Sequence, residues 1–331
     1  MLFRSTLNLF FNPDYLAHFS SRGPVSPFYI KPEIVAPGAY INTTQSNAGY
    51  NFTSGTSYAA PHVSGAAALL LQKNPELHHH EIKSLLLTTV EPVSDAYGNE
   101  FSIQETGAGR LNIAKAFDAK LIIEPPNFVA LTSSDNKVFE KQFQLKSLDG
   151  TWGGFDVTFD GPEFIGFGGE LVDENILNVK MSVLEDNFGE HEGKIRISHE
   201  GTQYVVPFIL HYTPGSVSIV QQNEKLFFDI YHPEEWSFAK IAITNSEDGR
   251  IDTITATPDK AASIDVYENA EYWVDAKIRV NGNTSSAYNT IDIKTIEERE
   301  RLDFDIPERQ MGIIAGAVII IGIIGIVLAR R

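Results

Sequence analysis

Residues 54–65 read Ser-Gly-Thr-Ser-Tyr-Ala-Ala-Pro-His-Val-Ser-Gly and open a stretch of small and apolar side chains that runs to Leu71. Ser54-Gly55-Thr56 reads as a turn, because glycine reaches backbone angles closed to other residues. From Ser57 onward the stretch is long enough for about four helical turns. Ala59, Ala60, Ser64, Gly65, Ala66, Ala67 and Ala68 leave almost no side-chain bulk, so such a helix can sit deep against neighbouring backbone. Pro61 falls in the first turn, where a missing N–H is best tolerated. A serine at this position meets free N–H groups and the positive end of the helix dipole. The oxyanion formed during acyl transfer needs that environment.

The same run resembles the nucleophile motif of the subtilisin-like serine proteases, with Ser57 in the place of the attacking serine. Flanking segments agree in order and character. Phe19-Ser20-Ser21-Arg22-Gly23-Pro24 and Lys31-Pro32-Glu33-Ile34-Val35-Ala36-Pro37-Gly38 resemble two blocks that precede the nucleophile in the larger members. The second predicts a short buried strand at Ile34–Ala36 that leaves through a Pro-Gly turn. Asn74-Pro75 ends the serine helix, and Ile82, Leu85 and Leu86 predict one face of another helix from Glu81. Thr106-Gly107-Ala108-Gly109-Arg110-Leu111-Asn112, followed by a helix to about Phe117, resembles the closing segment of the family. The resemblance covers residues 17–118, about a third of the chain.

That resemblance implies an acyl-enzyme peptidase acting on polypeptides, with no cofactor and no metal. It also implies a triad in the order Asp, His, Ser, yet only residues 1–56 precede Ser57. No Asp-Thr-Gly or His-Gly-Thr block occurs there. Asp14 and His18 sit in neither context, and Asn8 and Asn12 carry no motif that would mark an oxyanion-hole asparagine. His62 lies five residues along the serine's own helix, off the serine's face, and reads as structural. A hydroxyl without a base is a poor nucleophile at neutral pH. Loss of the histidine costs the family roughly six orders of magnitude in turnover. The chain alone is therefore expected to be nearly inactive, and a separate N-terminal half carrying the catalytic Asp and His is an expected partner. The start of the chain points the same way: Leu7–Phe11 is too short for an export-signal core of about 7–15 residues.

Composition narrows the rest. The chain has no cysteine, which removes disulfides, thiol nucleophiles and thiolate metal sites. A net charge of −17 argues against nucleic-acid binding, which requires a basic stripe. Past Phe117 helical periodicity gives way to alternation. Lys194–Ser198, the turn Glu200-Gly201 and the apolar run Tyr204–Tyr212 form a hairpin signature. Pro207 within that run predicts an edge strand or a bulge. Residues 119–213 read as a β-sandwich of immunoglobulin or fibronectin III type. After the linker Thr213-Pro214-Gly215-Ser216, candidate strands at Leu226–Ile230, Ala239–Thr244 and Arg250–Thr257 begin a second sandwich over 216–305. Its Asn281-Gly282 turn predicts a hairpin between Val274–Val280 and Ser286–Ile293.

Met311–Ala329 carries no charge, and its nineteen residues span about 28 Å as a helix, close to a bilayer core. It predicts one transmembrane helix, with Arg330-Arg331 on the cytoplasmic side and the preceding residues outside. The whole therefore predicts a multidomain chain. Residues 1–118 are the partial α/β subtilase catalytic domain, two all-β sandwich modules follow, and a membrane helix at 311–329 closes it. The alternative is a non-catalytic membrane-anchored surface scaffold with a protease remnant. A parallel sheet needs cover on both faces, so the first 118 residues are expected to fold poorly and to expose apolar surface. His78-His79-His80-Glu81 resembles a metal cluster only superficially, since consecutive histidines do not share a face. Asn42, Asn51 and Asn283 each open a glycosylation acceptor pattern.

Overall fold

The computed structural model describes residues 15–46, 48–173, 175–266 and 269–293. Among the described residues the first strands pair as an antiparallel hairpin, β1 (Ile41–Thr44) and β2 (Tyr50–Thr53). Four helices follow: α1 (Thr56–Lys73), α2 (His79–Thr88), α3 (Ile103–Thr106) and α4 (Ile113–Asp118). Each of the last three has a sequence reason to start where it does. In α2 the Glu81 carboxylate turns back to accept from the His78 N–H at 2.8 Å, and in α3 Glu105 does the same for Ser102 at 3.2 Å. Asn112 caps α4 by accepting from the Lys115 N–H at 3.0 Å. The expected strand at Ile34–Ala36 shrinks to one parallel bridge, Val35 with Arg110. Pro32 and Pro37 flank it and have no N–H to extend a ladder. Next to this bridge Gly107 is at φ 62, and a Cβ there would lie 2.3 Å from the Glu33 carbonyl.

Eight strands form the next layer pair: β3 (Leu121–Glu124), β4 (Phe128–Ser133), β5 (Val138–Ser147), β6 (Asp156–Asp160), β7 (Ile165–Asp173), β8 (Ile176–Val183), β9 (Gly189–His199) and β10 (Thr202–Thr213). They make two sheets, ordered β3-β5-β8-β7 and β4-β10-β9-β6. Leu177, Val179, Met181 and Val183 of one sheet and Ile195, Ile197, Tyr204, Val206 and Phe208 of the other join a single buried cluster. The turn between β9 and β10 has Glu200 at φ 50 and Gly201 at φ 76, the two left-handed residues of a tight hairpin. Pro207 sits in a strand flanked on both sides rather than at an edge, and without a bulge. It is tolerated because β4 pairs with β10 only from Phe208 onward, so one flank at Pro207 is open.

The last seven strands are β11 (Ser216–Gln222), β12 (Lys225–Tyr231), β13 (Trp236–Asn245), β14 (Ile251–Ala256), β15 (Ala262–Asp265), β16 (Glu271–Val280) and β17 (Asn283–Asp292). They form sheets β11-β12-β15 and β14-β13-β16-β17 around their own core, which includes Leu226, Phe228, Ile241, Val274 and Ile278. Asn281 and Gly282 at φ 48 and 83 make the β16–β17 turn.

The multidomain reading of a partial α/β catalytic domain, two sandwiches and a transmembrane helix requires correction. The described residues are mostly strand: seventeen strands against four helices. Between residues 15 and 118 the only sheet among the described residues is the two-stranded β1–β2 hairpin, so no parallel α/β sheet is present there. Among the described residues no helix is long and apolar enough to cross a membrane. Residues 311–329 lie outside the described residues. The physical basis of the first correction is where the helices find their cover. Ala66 and Leu70 of α1, Ile82, Leu85 and Leu86 of α2 and Ala116 of α4 share one buried cluster with Leu121–Ile123 and the first strand pair of sheets.

The exposed-surface expectation for the first third divides between two helices. From Glu81 to Val90 every residue except Lys83 is buried. In α1 only Ala66 and Leu70 are buried, while Leu69 and Leu71 are 44% and 42% exposed. The hairpin in front of it exposes Tyr50 and Phe52.

Candidate active site

Ser57 is the second residue of α1 and is exposed at its start. The first turn of α1 contains no acidic side chain, and its N-cap, Gly55, makes no side-chain cap. The helix thus brings no acidic side chain or side-chain cap of its own to its leading N–H groups, which stand at the positive end of an 18-residue helix. Such a place stabilises an anion forming on an atom attacked by Ser57.

The turn that carries Ser57 is tied to the segment after Pro37. The Gly55 N–H donates to the Gly38 carbonyl at 2.8 Å, and the Tyr58 N–H donates to the Gly55 carbonyl at 3.0 Å. The Ser54 hydroxyl accepts from the Tyr40 N–H at 2.9 Å. Gly55 itself is extended, at φ 160 and ψ 155, and a Cβ there would meet the Tyr58 ring at an ordinary 3.5 Å. The expectation that Gly55 supplies an angle closed to other residues is therefore not met. The glycine that cannot carry a Cβ is Gly38, which sequence reasoning placed only in a turn.

Ser57 lacks a base among the described residues: no described histidine or carboxylate hydrogen-bonds its Oγ. His62 is engaged elsewhere, its Nδ1 donating to the Tyr58 carbonyl one turn back at 2.8 Å. That agrees with its structural reading. His18 is exposed and lies edge-on to Phe19, with ring centroids 5.4 Å apart. Asn8, Asn12 and Asp14 lie outside the described residues. The three consecutive histidines do not converge. His78 and His80 stack at 5.6 Å and His79 meets His80 edge-on, while His80 Nδ1 pairs with Glu124 at the end of β3. Among the described residues no group of three His, Asp or Glu could hold a metal. Asn42, Asn51 and Asn283 are all exposed.

Charge pairs fasten the frame around the site. Glu33, just before the Val35 bridge, is flanked by Lys31 at 2.8 Å and by Lys83 of α2 at 2.5 Å. Burial alone would raise its carboxyl, and the two lysines outweigh burial and hold it below the usual value. Glu81 of α2 behaves alike: burial opposes ionisation, and Lys146 of β5 with the His78 N–H lowers it. On the far side, Glu192 of β9 accepts from the Ile103 and Gln104 N–H groups at 2.7 and 3.2 Å. Ile30, Ile103, Ile209 and Val129 close an apolar patch beside it. Phe28 stacks on Trp273 of β16 at 5.6 Å, and Tyr29 tilts against the same ring at 5.3 Å. Nothing local in the sequence around Phe28 pointed to a partner some 245 positions later.

Comparison with known proteins gives one matching family. Residues 11–112 match the Subtilase family. The Minor extracellular protease Vpr of Bacillus subtilis is 27% identical over 217 residues, 60% of this chain and 27% of that protein. The PI-type proteinase of Lactococcus lactis subsp. cremoris is 30% identical over 163 residues, 43% of this chain and 9% of that protein. The Subtilisin-like protease SBT1.5 of Arabidopsis thaliana is 36% identical over 132 residues, 33% of this chain and 17% of that protein. The chain thus spans about a quarter or less of the length of these relatives. Among solved structures, the titin domains A168–A170 overlay with a TM-score of 0.21 at 8% identity, over 53% of this chain and 66% of that one. An overlay that loose carries no argument, and the architecture rests on the strand pairing itself.

Proposed function

We propose, from the premise that residues 11–112 are a Subtilase-family segment, that Ser57 is the nucleophile of a serine endopeptidase acting on polypeptides. The observation that carries this reading is the Ser54–Ser57 turn, which presents an exposed hydroxyl at the uncapped, acid-free start of α1. In the complete reaction the Ser57 Oγ attacks the scissile carbonyl and a histidine takes its proton. The carbonyl electrons move to the oxygen, which receives the Ser57 N–H, and a carboxylate orients the histidine. The amine leaves with the proton, and water then releases the acyl group by the reverse relay. The histidine and carboxylate are proposed to come from polypeptide other than the described residues. The sparsely covered face of α1 supports that part, since Leu69 and Leu71 remain exposed on a helix with no charged residue before Lys73. A location outside the cytoplasm belongs to the same proposal, following the extracellular character named for the Bacillus relative.

A second reading has its own support: no histidine or carboxylate among the described residues hydrogen-bonds the Ser57 hydroxyl, which suits a non-catalytic scaffold working through its β modules. A fluorophosphonate probe separates the two. The first reading expects an adduct on Ser57 when a polypeptide bearing the Asp and His blocks is supplied, and none in Ser57→Ala. Absence of an adduct with any such polypeptide favours the scaffold.

A further inference from the structure

The nucleophile turn does not hold itself in place. Its N-cap has no side chain, and Gly55 is extended. What fixes it is a backbone template formed by residues 37–40. The Gly38 carbonyl receives the Gly55 N–H at 2.8 Å, and two residues further the Tyr40 N–H reaches the Ser54 hydroxyl at 2.9 Å. The two bonds bracket the turn on consecutive residues, one through backbone and one through a side chain. They leave Thr56, Ser57 and the start of α1 projecting beyond the bracket.

The template works only because Gly38 has no side chain. A Cβ on Gly38 would lie 2.9 Å from the Gly55 carbonyl oxygen and 3.2 Å from the Ala59 Cβ. Gly38 is not at positive φ, so the requirement is space and not backbone angle. Ordinary contact begins near 3.4 Å, and backbone atoms cannot rotate aside as a long side chain can. Any substituent must push Gly55 and the first turn of α1 outward together by roughly 0.5 Å. The Gly55 carbonyl is also the acceptor for the Tyr58 N–H, so the displacement passes directly to the residues on either side of Ser57.

We propose that Gly38 is a positioning residue for Ser57, and that Ser54 is a second, independent anchor of the same turn. This rests on the reading of Ser57 as a nucleophile, and the test separates the two. Amide exchange is measured on the 331-residue chain and on its Gly38→Ala and Ser54→Ala variants, and the rate of fluorophosphonate labelling is measured with the Asp- and His-bearing polypeptide present. Gly38→Ala is expected to speed exchange at Gly55 by at least about tenfold and to slow labelling by about 10- to 100-fold, the scale of sub-ångström misplacement of a reacting group. Ser54→Ala is expected to speed exchange at Tyr40 and to leave Gly55 protected. Gly98→Ala, at a glycine where an added Cβ would meet nothing within 4 Å, is the control that lowers stability through strain at φ 88 without touching the turn, and its labelling rate should match wild type.

Unchanged exchange at Gly55 in Gly38→Ala, with wild-type labelling intact, overturns the positioning role and leaves the nucleophile reading standing. Faster exchange at Gly55 with an unchanged labelling rate also overturns it, because the turn would then have moved without consequence for Ser57. Faster exchange at Gly55 when wild-type Ser57 fails to label with any Asp- and His-bearing polypeptide supports the anchor itself and overturns the nucleophile reading.

Discussion

Ser84→Ala is the substitution whose cost the structure fixes most directly. Ser84 is fully buried in α2, facing β3, an outermost strand of its sheet. On one flank Ile123 pairs with Leu145 of β5. On the other its two backbone groups meet a single hydroxyl: the Ser84 Oγ donates to the Ile123 carbonyl at 2.7 Å and accepts from the Ile123 N–H at 3.0 Å. One side chain thus does for the open edge what a neighbouring strand would do. Alanine removes both partners and leaves a donor and an acceptor unpaired in a dry contact. At about 1–3 kcal/mol for each buried unsatisfied group, with some relief from relaxation, the expected loss is about 2–4 kcal/mol. That is a fall in protection at the Ile123 amide of about 30- to 800-fold in native-state exchange. Ser64→Ala is the control, because the exposed Ser64 hydroxyl only back-bonds to the Ala60 carbonyl at 3.3 Å, and its effect is expected within about 0.5 kcal/mol. Protection at Ile123 within twofold of wild type in Ser84→Ala would refute the edge-capping argument.

Further outcomes follow from the same contacts. Trp273→Ala removes the ring on which Phe28 and Tyr29 lie; a loss of about 1–3 kcal/mol is expected, read as faster exchange at Tyr29 and Ile30. Glu81 has a folded pKa below 4.5, so the stability it contributes is complete above that value and is lost as pH falls through the lowered one; Glu81→Gln should flatten this part of the acid limb in a Tm-against-pH series. His211 is held down to about 4 by burial, against 6.5 when free, so folding favours its neutral form and stability falls as pH drops from about 6.5 toward 4. Around it stand Glu190 at 3.8 Å, the Tyr288 ring at 5.4 Å, and Lys31 and Gln104 across a small shared cavity. Glu190 is raised by burial and by Glu192 and acts in the opposite sense, so His211→Asn should remove the acid-linked loss and leave a residual gain from Glu190.

The serine helix, the helix after it and the Asn281-Gly282 hairpin were legible in the sequence because each rests on local chemistry. Small residues, an apolar face recurring at three- and four-residue spacing and a turn dipeptide act within a few positions. Alternation marked the later strands for the same reason. The shared core was not legible, since Leu85 and Ile122 meet through packing that no period encodes. An Ala-rich helix suggests burial, yet α1 buries only Ala66 and Leu70, because helix composition states what a face could cover and not whether the cover is there. Pro207 pointed to an edge; the strand as a whole is internal to its sheet, yet β4 joins it only from Phe208 onward, so the edge exists at Pro207 alone. At the site, Ser57 was visible in its motif. Gly38 was visible only as half of a Pro-Gly pair, and its closeness to Gly55 and Ala59 comes from chain folding across some seventeen intervening positions.

The most direct test of the central claim is peptide-mapped fluorophosphonate labelling of Ser57 in the purified 331-residue chain, alone and after addition of a polypeptide carrying the Asp and His blocks. The expected result is an adduct on Ser57 that forms only in the mixture and disappears in Ser57→Ala. Rapid labelling of the chain by itself, or none under either condition, would contradict the account of a poised hydroxyl awaiting its base.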